Sequence, residues 1–80
     1  MSEAVVVDAR GHRCPVPSLR LRKAMEGLRP GARLILLATD LMARIDVPYL
    51  MREQGGRVCE IEDVDGVLRI TVETGAVPTD

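Results

Sequence analysis

Gly11-His12-Arg13-Cys14-Pro15-Val16-Pro17 places a thiol where its ionisation can be controlled. Two prolines so close together cannot lie inside a helix. Pro15 suits the first helical position, where a backbone N–H would have no intrahelical partner. Cys14 then falls at or next to the N-cap, where free N–H groups and the positive end of the helix dipole favour thiolate over thiol. Arg13 and His12 precede it and can stabilise the anion, although solvent-screened loop residues would explain His12 equally well. The expected chemistry is that of a nucleophilic sulfur.

Other chemistries find no equipment. The chain has no paired carboxylates near a cleft, no phosphate-binding glycine loop and no Ser-His-Asp set. His12, Cys14 and Cys59 lack the paired Cys-x-x-Cys spacing of a zinc site, so no metal and no cofactor are expected. Cys59 reads as a small hydrophobe in a strand, with a resolving-cysteine role as the alternative. Asp40 and Asp46 read as caps of backbone N–H groups, with loop orientation or partner contact as the alternative.

The elements that must position Cys14 follow from periodicity. Val5-Val6-Val7 is a β-branched run ended by Asp8-Ala9-Arg10-Gly11, a buried strand that delivers the cysteine loop. Leu21, Ala24, Met25 and Leu28 then repeat at helical spacing, and Pro30-Gly31 places the helix end at Leu28 or Arg29. Leu34-Ile35-Leu36-Leu37 is too short for an isolated helix and predicts a central strand buried on both faces. Leu41 to Gln54 has helical patterning, but Asp46 and Pro48 also allow a turn followed by a helix from about Val47. Arg57–Asp63 and Val67–Glu73 alternate around Asp65-Gly66, a hairpin signal because type I′ turns need positive φ at both central positions.

The order β-α-β-α-β-β predicts an α+β two-layer sandwich, a four-stranded mixed sheet with two helices on one face. One domain is expected over residues 1–75, with 76–80 as a flexible tail. A chain of 80 residues buries only roughly 60 to 65% of its unfolded surface, so the core is small. Tyr49 is the sole aromatic residue, which leaves Val, Ile, Leu, Met and Ala to build that core.

Composition narrows the partners. A lone tyrosine and near-neutral charge offer little for base stacking or phosphate binding, so no direct nucleic-acid partner is expected. No apolar run reaches membrane-spanning length and none resembles a leader, so cytoplasmic placement with both cysteines free is expected. Charge is uneven: residues 1–39 hold seven basic side chains against three acidic ones, and residues 40–80 hold four against nine. The positive surface is therefore expected around Cys14, with Arg20, Arg22 and Lys23 as a partner-binding face or simply a solvated one.

The landmarks Asp8-Ala9-Arg10-Gly11, Cys14-Pro15-Val16-Pro17, Arg22-Lys23-Ala24, Pro30-Gly31, Asp40, Asp46-Val47-Pro48 and the closing hairpin follow one another in order. In this the chain resembles the TusA/SirA/YedF family of small sulfur-carrier proteins, over about Val6 to Thr74. It differs where Leu41 replaces a frequent proline and where Ile45 replaces a frequent basic residue. The resemblance implies a persulfide carried on Cys14, with Arg13, Pro15 and Pro17 in support. Sulfur would come from a donor protein of cysteine desulfurase or rhodanese type. It would pass to an acceptor protein, in tRNA thiolation or other sulfur trafficking, and the carrier is expected to be a monomer. Two other functions fit the residues: a regulatory module docking through the basic first helix, and a thiol redox sensor pairing Cys14 with Cys59.

Overall fold

The structure is a computed structural model and describes residues 4–75. Its elements are β1 (Val5–Ala9), α1 (Val16–Met25), β2 (Arg33–Ala38), α2 (Ala43–Glu53), β3 (Arg57–Val64) and β4 (Val67–Glu73). The strands form one mixed sheet in the order β1-β2-β4-β3. β1 and β2 are parallel, as a connection through a crossover helix allows, and β4 runs antiparallel to both β2 and β3. The expected sandwich is what forms.

One face of the sheet is dry. Ala9, Leu34, Leu36, Ala38, Leu68, Ile70 and Val72 meet Leu21 and Met25 of α1 and Ala43, Val47, Leu50 and Met51 of α2 in one cluster. The other face is open, which corrects two expectations. β2 alternates buried Leu34, Leu36 and Ala38 with half-buried Ile35 and Leu37, rather than being buried on both faces. β1 is an edge strand with Val5 and Val6 exposed: Val6 lies on the face that no second layer covers, and Val5, on the helix side, lies at the outer edge of the sheet.

Helix boundaries also moved. α1 ends at Met25, before the expected Leu28 or Arg29, because the chain turns out through Gly27 at φ 80°. α2 is continuous through Pro48. The N–H that proline lacks would have bonded the Arg44 carbonyl, and Arg44 is exposed, so water can take that place. The hairpin matches its signal, with Asp65 at φ 52° and Gly66 at φ 84°. The tail expected over 76–80 lies outside the described residues.

Candidate functional site around Cys14

Because β1 and β2 are parallel and paired through Ala9 and Ala38, the loops leaving both strands emerge side by side at one edge of the sheet. Ligand and reaction sites of open α/β sheets gather at such carboxyl ends. Two hydrogen bonds tie the loops together. The Gly11 N–H donates to Thr39 Oγ1 at 2.8 Å, and the Cys14 N–H donates to Asp40 Oδ2 at 2.9 Å. Asp40 Oδ1 accepts from the Met42 N–H at 3.0 Å, so one carboxylate holds both the cysteine and the turn that starts α2. The capping role expected of Asp40 is present, and it extends to the Cys14 N–H.

Cys14 lies one residue before the N-cap, which is Pro15, and the Cys14–Pro15 peptide bond is cis. Pro17 is fully buried and sits within the first turn of α1, so it anchors the helix start in the core. Cys14 itself is half-buried and packs against the core cluster. Beside it is an open depression of ≈ 370 Å³ lined by Gly11, His12, Arg13, Thr39 and Asp40. The depression is polar and has no apolar walls to enclose a small substrate.

The charge around the sulfur is the reverse of the expected one. Burial, followed by the carboxylates of Asp46 and Asp40, pushes the Cys14 thiol up to about 12. The helix start favours an anion, but loss of solvent and two adjacent negative groups outweigh it, so the resting sulfur is a thiol. Asp40 in turn sits below the usual carboxylate range, chiefly because it accepts the Cys14 and Met42 N–H groups, with Arg13 adding attraction.

The basic residues of α1 lie elsewhere. Arg20 Nη1 donates to the Asp8 carbonyl at 3.3 Å. Arg22 and Lys23 occupy the last turn of α1, roughly 10 Å along the helix from its start. Arg22 borders a separate cavity of ≈ 340 Å³ with Met25, Gln54 and Thr74, at the end of the sandwich away from Cys14. Sequence spacing could not reveal that Asp40 and Asp46, from the acidic half of the chain, reach the cysteine; Asp46 comes from the first turn of α2. The signal available was the position of Asp40 directly after β2, at the edge where β1 also ends.

Cys59 is the extra residue of a bulge between Val58 and Glu60 in β3. β3 is the opposite edge of the sheet from β1, about 14 Å away across three strand spacings and a further ten or so along the strands. A disulfide needs Cα atoms within roughly 7 Å, so the two thiols cannot pair in this fold. Among the described residues, no group of three His, Cys, Asp or Glu side chains could hold a metal ion. None of their helices is long and apolar enough to cross a membrane.

A two-layer α+β domain presenting a proline-flanked cysteine at the carboxyl end of its first strand defines a small thiol protein. The chain belongs to the TusA sulfurtransferase family, whose model matches residues 5–74. It is 43% identical over 68 residues to an Archaeoglobus fulgidus protein provisionally named a sulfur carrier, covering 84% of this chain and 88% of that one. It is 33% identical over 75 residues to YrkI of Bacillus subtilis, also provisionally named a sulfur carrier, covering 94% of this chain and all of that protein, 100%. Among solved structures, the SirA-like protein of Desulfitobacterium hafniense matches with a TM-score of 0.78 at 27% identity, over 90% of this chain and 99% of that one.

Proposed function

We propose that this protein is a sulfur carrier that receives a sulfane sulfur on Cys14 from a donor protein and relays it to an acceptor protein. The observation that carries the reading is the placement of Cys14. Its backbone N–H is held by Asp40, its side chain is half-buried, and the adjoining loop residues Gly11, His12 and Arg13 line an open polar depression rather than an enclosed substrate pocket. Such a thiol is suited to meet another protein's sulfur.

In loading, the Cys14 sulfur attacks the terminal sulfur of a donor persulfide. The donor S–S bond breaks, the donor leaves as a thiolate, and Cys14 becomes Cys–S–SH. In delivery, an acceptor thiolate attacks the terminal sulfur and Cys14 leaves as the thiolate. One S–S bond forms and one breaks in each step, so no external oxidant or reductant is needed. The carboxylates of Asp46 and Asp40, which raise the Cys14 thiol, are the groups we assign to take its proton. Arg13, Pro15 and Pro17 support the loop, and Arg20, Arg22 and Lys23 offer partners a separate cationic contact. The proposed setting is the cytoplasm, where thiols remain reduced; tRNA thiolation is one route the relayed sulfur can serve.

Intact-mass analysis after incubation with a cysteine desulfurase and cysteine, or with a small persulfide donor, tests the relay. The expected result is the mass of one added sulfur on the native protein, removed by a reducing thiol and missing from Cys14→Ser. Equal addition to Cys14→Ser, or none to the native protein with either donor, would overturn it.

A further inference from the structure

Leu41, Met42, Ile45 and Tyr49 are 65%, 49%, 63% and 62% exposed, and they follow one another along the start and outward side of α2. Outward helix faces are normally polar. In the same molecule α1 presents Arg20, Arg22 and Lys23 to solvent, with Leu19 its one exposed large apolar side chain. α2 needs none of its four exposed residues for the core, since Ala43, Val47, Leu50 and Met51 already fill its inward side. A contiguous exposed apolar surface of this kind marks an interaction site.

The surface borders the reactive sulfur. Leu41 directly follows Asp40, which holds the Cys14 N–H. Asp46, one helical turn after Met42, reaches the Cys14 thiol. Neither carboxylate forms an ion pair with a basic side chain among the described residues, and Arg44, the cation on this helix nearest them in sequence, lies 3.9 Å from Asp63 instead. Apolar side chains of α2 and its approach therefore flank the two carboxylates on one side, opposite the polar loop of His12 and Arg13.

We propose that this face of α2 docks a protein partner that presents an apolar surface with a lysine or arginine beside its own cysteine. The proposal rests on the relay reading above and specifies the chemistry of the partner's surface. A second copy of the chain fits poorly, because a twofold axis through the face would set Asp40 and Asp46 against their own equivalents. A partner cation placed between the two carboxylates would also offset their share of what opposes ionisation of Cys14, leaving burial as the remaining cause.

The test uses the full chain carrying Cys59→Ala and three blocked octapeptides, each with a central cysteine activated as a 2-thiopyridyl disulfide. One peptide flanks the cysteine with leucines and a lysine, the second replaces lysine with glutamate, and the third uses glycine and serine. Cys14 attacks the peptide sulfur, the activated S–S bond breaks, and released pyridine-2-thione reports the rate. The leucine–lysine peptide is expected to react about tenfold faster than the glycine–serine peptide, with the glutamate peptide slower than its lysine counterpart. Ile45→Ser with Tyr49→Ser should abolish most of the preference for leucine while leaving the rate with 2,2′-dithiodipyridine unchanged. Asp46→Asn should shrink the lysine-over-glutamate ratio.

Equal rates for the three peptides, or a preference that survives Ile45→Ser with Tyr49→Ser, would overturn the proposal. So would a dimer in sedimentation that Ile45→Ser dissolves, since the face would then belong to a second copy. Peptide selectivity in a protein whose Cys14 never gains sulfur would leave the docking surface standing and remove the relay.

Discussion

Asp46→Asn isolates the influence of the α2 carboxylate on Cys14. The thiol lies at about 12, raised from an ordinary 9.0 by burial first and then by the hydrogen bond and charge of Asp46 and Asp40. At pH 7.5 this leaves roughly one molecule in 30,000 as thiolate. Removing Asp46 leaves burial and Asp40 in place, so the thiol should fall by about one pH unit and thiolate should become about tenfold more abundant. A less basic thiolate is also a weaker nucleophile; with a Brønsted slope of about 0.4–0.5, intrinsic reactivity drops about threefold. The net expectation is therefore an alkylation rate about three- to fourfold higher at pH 7.5, with the midpoint of the pH–rate curve displaced downward. Iodoacetamide kinetics in a Cys59→Ala background, followed by intact mass across pH, supply both readings. An unchanged or higher midpoint would refute the assignment of Asp46 as a group that opposes the thiolate.

The same raised thiol makes stability depend on pH. The folded state holds a proton that the unfolded chain releases, so this stabilisation is fully present below about 9, and falls progressively as pH rises through about 12. Denaturant unfolding should show a steeper alkaline decline for the native chain than for Cys14→Ser; parallel curves would contradict it. Asp40→Ala frees the Cys14 and Met42 N–H groups together. It should speed hydrogen exchange at both and slow sulfur loading, with Asp40→Asn partly restoring protection. Leu36 is fully buried in β2, so Leu36→Ala should cost about 2–5 kcal/mol in urea unfolding; a loss well under 1 kcal/mol would mean this site is not at the centre of the core.

Much of the fold can be read in the chain because its signals are local. Gly66 after Asp65 specifies a turn with two positive φ angles, and Pro30-Gly31 prevents any helix from reaching β2. The errors arise where the outcome depends on neighbours. Val5-Val6-Val7 has the composition of a buried strand, but its exposure depends on whether another layer covers the sheet edge. Pro48 argues locally for a break, but the burial of Val47, Leu50 and Met51 against the sheet keeps α2 continuous.

By itself the sequence singled out one cysteine, set between a strand end and a proline-anchored helix, as the residue on which the proposed chemistry depends. Chain order, strand and helix types and the turn geometry are local consequences of residue type, so they too were settled there. Only tertiary structure decided the state of that cysteine. The parallel pairing of β1 and β2 brings Asp40 to its backbone, and the docking of α2 brings Asp46 to its sulfur, across 26 and 32 positions of chain. Electrostatic energy depends on distance through space, not on separation along the chain. The helical cations Arg20, Arg22 and Lys23 therefore stay away from the sulfur although they are nearer in sequence, and two distant carboxylates join burial in holding the thiol protonated.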